Sequence, residues 1–386
     1  MSRLEELIKQ YCPDGVEYKR FGDFAQIIRG GNFQKKDFVA DGIPCLHYGQ
    51  IYTKLKYFVY KPLTFINEEV SIKQKYAKPN DIIMAITSEN VEDVCKCVAW
   101  LGNTEIAVSG HAAIIHHNQN PKYLVYYLWS EHFYNQKTRL AHGTKVIEVS
   151  PDKLTNIEIP IPPLPIQEEI VRILDTFTEL EAELEAELEA RKRQYEYYRD
   201  KLLTFGDNVP YIPIGEVCEL KAGKAISAQC IYADNTHPYL CYGGNGIRGY
   251  VDKYNQVGEY PIIGRQGALC GNVNYATGTF YATEHAVVAD GKGNYLPRFL
   301  FHLFIYMNLN QYKSQGAQPG LAVSNLNKLE IPVISITEQE RIVSILDKFD
   351  TLCNDLTQGL PKELELRRKQ YEYYRDKLLS FKRKEA

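Results

Sequence analysis

No apolar run in this 386-residue chain reaches the roughly 18 residues that a membrane-crossing helix needs. The opening stretch, Met-Ser-Arg-Leu-Glu-Glu, does not resemble a secretion signal, and the expectation is a protein that stays in the cytoplasm. Zinc-type CxxC spacing is missing too: nine cysteines, an odd number, fall without a repeated interval, and the nearest two, Cys95 and Cys97, make only a CxC. They read as reduced, mostly buried thiols. Excess positive charge is absent. With 45 Lys and Arg against 48 Asp and Glu, the net charge is −3. That balance counts against a free-standing protein gripping phosphates over its whole surface, and it confines DNA contact to local patches or to surfaces shared with a partner.

Motifs of catalysis are equally scarce. There is no GxxxxGK[ST] loop, and the glycines at Gly243, Gly244 and Gly246 lack the Lys that such a loop needs. The histidines, His116 and His117 included, form neither HExxH nor a Cys/His zinc set. Asn120-Pro-Lys-Tyr is similar to the [DN]PP[YF] of adenine methyltransferases, but Lys122 replaces the second Pro, and the matching Pro297-Arg-Phe marks both as helix starts. No catalytic residue, metal site or bound cofactor is expected.

What the chain does contain is itself, twice. Residues 191–205 read RKRQYEYYRDKLLTF and residues 367–381 read RRKQYEYYRDKLLSF, with IQEEIVRILDTF at 166–177 answering TEQERIVSILDKF at 337–349. Fainter matches keep the same order: Val16 with Val209, Pro44-Cys-Leu-His-Tyr-Gly with Pro238-Tyr-Leu-Cys-Tyr-Gly, His111 with His285, Pro121 with Pro297, and Ile157-Glu-Ile-Pro with Leu329-Glu-Ile-Pro. The layout is A-B-A′-B′. Near-identical B segments imply one job done twice, and divergent A segments imply two related but different targets.

The B segments carry a helical stripe. Ile166, Ile170, Ile173, Phe177, Leu180, Leu184, Leu188, Tyr195, Tyr198, Leu202 and Phe205 project within an arc of about 100°, interrupted by Arg191. The second copy repeats it with Ile342, Ile345, Phe349, Leu352, Leu356, Leu360, Leu364, Tyr371, Tyr374, Leu378 and Phe381, interrupted by Arg367. A helix of about 60 Å is too long to stand alone, so each stripe is expected to bury against the other. Copy two has about one extra turn in its middle, where Gly359 and Pro361 predict a kink or short break before a helix starting at Pro361. ELEA, written three times from Glu179 to Ala190, is either a run of good helix formers with a solvated acidic face or a ruler in which each unit adds about 6 Å. Arg191 and Arg367 either snorkel at the seam edge or fix register against a partner's acid.

The A segments, 15–165 and 206–336, show short strand-like runs such as Ile82-Ile-Met-Ala-Ile and Tyr260-Pro-Ile-Ile-Gly, and one helix each near 121–139 and 297–313. An α/β or α+β domain follows. Side chains suited to base edges and phosphates collect in the loops: Arg29, Gln34, Lys35, Lys36, His47, Tyr48, Gln50, Lys54 and Lys145 in the first, and Lys224, Tyr242, Asn245, Arg248, Arg265 and Gln266 in the second. Taken singly each is equally a solvated loop residue. The repeated His111 and His285 read as satisfied structural residues rather than general bases.

QEEIVRILD and QYEYYRDKLL with their second copies, the lead-ins IPIPPLPIQEE and IPVISITEQE, and Tyr242-Gly-Gly-Asn-Gly-Ile-Arg-Gly-Tyr carry a family resemblance. Over essentially its whole length the chain resembles the specificity subunits of Type I restriction–modification systems. The resemblance implies an N-terminal helix at 1–14 and two α/β target-recognition domains, 15–165 and 206–336, each reading half of a split, asymmetric DNA site. It further implies that helices 166–205 and 337–386 form an antiparallel coiled-coil pillar with a pseudo-two-fold repeat. That pillar docks two adenine-N6 methyltransferase subunits, which use S-adenosylmethionine, and through them the restriction subunits; the chain itself is non-catalytic. Seam and docking would fall to Ile170, Phe177, Leu184, Arg191, Tyr195, Tyr198, Leu202, Ile342, Phe349, Leu356, Arg367, Tyr371, Tyr374 and Leu378. The net charge of −5 over 167–205, from 6 basic and 11 acidic residues, suits a protein-docking pillar better than a DNA-facing one. Unequal B lengths depart from strict pseudo-symmetry. The competing readings are a stand-alone adenine methyltransferase and a coiled-coil scaffold that never touches DNA.

Overall fold

The computed structural model describes residues 2–267, 269–314, 319–355 and 357–385. They fall into two compact units, Met1–Glu183 with Leu364–Ala386, and Leu184–Glu363. The long helix Leu164–Leu203 gives its first half to one unit and its second half to the other. No helix among the described residues is long and apolar enough to cross a membrane.

In the first unit one sheet has the order Ala25–Arg29, Ala112–His117, Ile82–Ala85, Cys97–Trp100, Phe58–Val59, and a second has the order Phe38–Val39, Thr64–Ile66, Ile43–Leu46, Ile106–Val108, Lys75–Ala77. The predicted strand through Ile82 is fully buried, and its alternation decides what each residue touches. Ile82 and Met84 join the core that packs on the helices, while Ile83 and Ala85 join the core around Trp100 and Leu46. The second unit repeats this plan: Glu219–Ala222, Ala286–Asp290, Tyr260–Gly264, Val273–Ala276 in one sheet, and Gly246–Val251, Tyr239–Gly243, Thr279–Ala282, Gln256–Val257 in the other.

Strand register corrects one pairing drawn from the sequence. Val108 lies opposite Leu46 in a parallel pair, and Ala282 lies opposite Tyr242 in its counterpart, so Leu46 corresponds to Tyr242 and His47 to Gly243. Matching Pro44 to Pro238 by letter puts this strand two residues out; the ladder, which fixes which face each side chain takes, overrules it.

The helices predicted near 121 and 297 are Pro121–Leu128, followed by Glu131–Lys137, and Pro297–Tyr306. Asn120 is a cap: its Oδ1 accepts from the amides of Lys122 (3.0 Å) and Tyr123 (3.2 Å), which accounts for the methyltransferase-like tetrapeptide. The N-terminal helix Arg3–Tyr11 opens with a capping box between Ser2 and Glu5. At the other end of the chain Lys382 accepts from the amide of Val16 (2.8 Å) and Lys384 donates to its carbonyl (2.9 Å), which ties the C-terminal residues to the first domain.

The B stripes divide their burial. Ile166, Ile170, Val171 and Leu174 sink into the core of the first α/β domain, and Ile342 and Leu346 into that of the second, rather than wholly against the other stripe. Further along, the two copies do meet. Phe177 stacks on Tyr374 at 5.5 Å while Glu181 reaches Arg368, and in the second unit Tyr198 stacks on Phe349 at 5.5 Å while Tyr195 lies 6.4 Å from the same ring. One number rises as the other falls, so the first contacts run antiparallel. Buttresses repeat as well: Asp175 takes Lys122 Nζ (2.5 Å) and Tyr126 Oη (2.6 Å), and Asp347 takes Arg298 (2.6 Å) and His302 Nε2 (2.7 Å).

Burial along the stripe is uneven. Leu180 is 41% exposed, whereas its neighbour Glu181 is 3% exposed and accepts from Lys56 Nζ (2.8 Å) and Arg368 Nε (2.6 Å). Burial works against that carboxylate, but the two cations outweigh it and hold it below its ordinary value of 4.5. Leu184, Leu202 and Leu378 are half-buried, Tyr374 sits at the edge of the seam, and Leu356 lies outside the described residues. Arg191 donates to Glu187 (2.7 Å) and Gln194 (2.8 Å), and Arg367 donates to Gln370 (3.3 Å).

The second copy is broken as predicted, into Ile336–Asn354 and Leu360–Leu378. Asp355 holds the break by accepting from the amide (2.7 Å) and hydroxyl (2.6 Å) of Thr357. A Cβ on Gly359 would stand 2.5 Å from the carbonyl of Thr351, so only glycine fits the approach. All nine cysteines are free and eight are buried, which explains their lack of spacing.

Candidate nucleic-acid interface

The loops that leave the paired strands meet at one place in each domain, and the same backbone hydrogen bonds build both. Gly30 donates to Ala112 as Gly223 does to Ala286, both at 2.9 Å. Ser109 donates to Leu46 (3.1 Å) as Thr283 does to Tyr242 (2.9 Å), and Ile86 to His111 as Arg265 to His285, both at 3.0 Å. Position by position, His47 therefore answers Gly243, Tyr48 answers Gly244, Thr87 answers Gln266, and His111 answers His285. A Cβ on Gly30 would lie 2.4 Å from the carbonyl of Ser109, and one on Gly223 lies 2.1 Å from that of Ala282. Glycine is what allows the chain to pass here in both copies.

Over this shared frame the side chains differ. The first cleft, about 760 Å³, is lined by Arg29, Lys35, His47, Tyr48, Lys73, Lys75 and His111 among others. Tyr48 lies 4.6 Å from His47 and 4.9 Å from His111, an aromatic run along the cleft. His111 Nδ1 meets Thr87 Oγ1 at 3.1 Å. Burial, with Lys35 and His111 nearby, pushes the His47 imidazole below its ordinary value of 6.5 and so favours the neutral ring. Arg29 is ion-paired to Glu148, while Lys73 and Lys75 stand exposed at the mouth. Four cations around one opening make a local positive patch on a chain of slightly negative total charge.

The second cleft, about 560 Å³, is lined by Gly244, Asn245, Arg248, Gln266, Gly267, His285, Pro319 and Gly320. Arg248 is its one cation among the described residues. Its aliphatic stem lies over Gly243: a Cβ there would come within 2.4 Å of Arg248 Cδ. Around this cleft Arg265 Nε, Asn274 Nδ2, Thr283 Oγ1, Glu284 Oε2 and His285 Nδ1 are buried without a hydrogen-bond partner among the described residues. Each such atom costs about 1–3 kcal/mol unless something completes it. The His285 ring is satisfied on one side only: Nε2 lies 3.3 Å from Glu284 Oε1 while Nδ1 has no partner among the described residues, whereas His111 Nδ1 meets Thr87.

The sequence-derived residues separate accordingly. Arg29, Lys35, His47 and Tyr48 line the first cleft, Lys36 the adjoining groove, Gln50 and Lys54 the continuation past Tyr48, and Asn245, Arg248 and Gln266 the second cleft. Gln50 and Tyr242 lie in the interior rather than on loops: Gln50 Oε1 accepts from the His47 amide (2.9 Å), and Tyr242 is 6% exposed in a small core. Arg265 packs its Nε inside. Lys145 and Lys224 are exposed and line neither cleft. Lys73, Lys75 and His111 join the first cleft only in three dimensions, since they sit far in sequence from its other residues.

The model of the Type I restriction modification DNA specificity domain family matches residues 13–190 and again 207–366. The chain is 46% identical over 251 residues to the Escherichia coli type I restriction enzyme EcoprrI specificity subunit, covering 61% of this chain and 63% of that one. It is 38% identical over 260 residues to the E. coli EcoR124I/EcoR124II specificity subunit, covering 60% and 64%. These matches span somewhat less than two thirds of either relative. The fold is similar to a crystal structure of a Type I restriction-modification system S subunit from M. genitalium, with TM-score 0.61 and 16% identity over 95% of this chain and 96% of that one. With a family match to each half, the chain belongs to the Type I restriction modification DNA specificity domain family, whose domain it carries twice.

Proposed function

We propose that the chain is the DNA-recognition subunit of a Type I restriction–modification complex and reads a bipartite, asymmetric site, one half per α/β domain. The observation that carries this reading is the pair of clefts: one backbone frame, two sets of side chains. A single frame keeps the approach to the duplex the same in both domains, and different side chains on it select different bases. A homodimer of one domain would read a palindrome; two unlike copies in one chain read two unlike halves.

On this reading, domains 15–165 and 206–336 are the readers, and helices 166–205 and 337–386 separate them and dock two methyltransferase subunits, to which restriction subunits attach. Repetition of the exposed aromatics supports docking by two identical partners. Tyr197 and Tyr373 are each 61% exposed, their rings lie edge-on to Tyr198 and Tyr374 at 5.4 and 5.3 Å, and Lys201 and Lys377 cover them at 5.8 Å. Large exposed tyrosines repeated in place and surroundings suit a protein interface. S-adenosylmethionine and the methyl transfer to adenine N6 belong to the partner; this chain supplies position.

Mapping N6-methylated adenines genome-wide in strains with and without the gene tests the reading. A two-part motif with unlike halves that vanishes with the gene is expected. Methylation that keeps the same motif without the gene contradicts it.

A further inference from the structure

We infer that Arg248 reads a guanine in the half-site of the second domain, from the place that His47 occupies in the first. This rests on the specificity-subunit reading and names the side chain that makes the two halves differ. Backbone register equates His47 with Gly243. With no side chain at Gly243, the space is filled instead by the stem of Arg248, whose Cδ and Cγ lie 2.4 and 2.8 Å from where a Cβ would be. Packing on Gly243 therefore positions the guanidinium.

Its donors remain uncommitted. Arg248 makes no hydrogen bond or ion pair among the described residues, whereas Arg29 of the first domain is tied to Glu148. The company it keeps is that of base reading rather than phosphate binding: the carboxamides of Asn245 and Gln266 and the ring of His285 line the same cleft. Lysines, the usual point charges for phosphate, line the first cleft as Lys35, Lys73 and Lys75 and are absent from the lining of the second. Among bases, guanine presents two acceptors side by side, O6 and N7, which match the two parallel N–H groups of an arginine fork. Adenine puts a donor at the corresponding edge and would repel one of them.

The test uses the chain in complex with its methyltransferase subunit and maps methylated adenines for wild type, R248A and R248K. One guanine position in one half-site is expected to relax in R248A, with discrimination falling about tenfold or more. The other half and the gap should stay as in wild type. R248K is expected to relax the same position, because an ammonium cannot span both acceptors, and it keeps the charge should R248A fail to assemble. An unchanged motif, relaxation at a base other than guanine, or a uniform loss of methylation with the motif intact overturns the assignment. Absence of any two-part motif in the wild-type complex is a different failure, that of the specificity-subunit reading itself.

Discussion

Phe177 and Tyr374 lie nearly face to face with ring centroids 5.5 Å apart, and their counterparts in the repeat, Phe349 and Tyr198, stand 5.5 Å apart in the other unit. Each contact joins an I-L-D-x-F stretch from one copy to a Q-Y-E-Y-Y stretch from the other. Every B segment thus supplies both halves of the contact, once each. That reciprocity gives a physical reason for two stretches of one chain to stay nearly identical while the A segments diverge.

Truncating Phe177 tests the contact. F177A is expected to cost about 2 kcal/mol, less than the 3–5 of a fully buried phenylalanine because the ring is only half-buried. Combined with Y374A it should show a coupling of about 1 kcal/mol beyond additivity. Denaturant unfolding of the two single variants and the double measures it, and strictly additive losses would remove the stacking from the account.

Glu181 makes the stability of the first unit depend on acid. Its folded value lies below the ordinary 4.5, so its contribution is complete above about pH 4.5 and is lost as pH falls through the folded value. E181Q should lower stability by about 1–2 kcal/mol at neutral pH and flatten the decline below pH 4.5. Melting curves from pH 3 to 7 decide it; an equal slope in both proteins would show that Lys56 and Arg368 do not depend on this charge.

Lys73 and Lys75 should act on every sequence alike. With both changed to Ala, DNA binding by the complex is expected to weaken uniformly, and the slope of log affinity against log salt to fall by about one to two. Binding titrations across a salt series give the slope. A changed half-site, with the slope kept, would make them base readers instead.

Much of this was legible in the sequence because repetition and period survive without coordinates. The helices, their break near Gly359 and the two α/β domains follow from spacing alone. Contacts that depend on three dimensions did not. Glu181 reads as part of a solvated acidic run, yet Lys56 and Arg368, distant in sequence, turn it inward. Periodicity identifies Ile166, Ile170 and Ile342 as a buried face but not what covers them, and the α/β cores take that role. Matching letters put His47 opposite Cys241, and only the parallel ladder moves it to Gly243, where the emptiness of glycine acquires meaning.

Under the proposed function, the length of the first long helix sets the gap between the two half-sites. Deleting one ELEA unit, residues 183–186, removes about 6 Å of helix, or one to two base pairs at about 3.4 Å each, and turns the helix little. Methylated-adenine mapping of that deletion in complex with the methyltransferase subunit is predicted to return both half-sites unchanged with a gap one or two base pairs shorter. An altered half-site, or an unaltered gap, would contradict it.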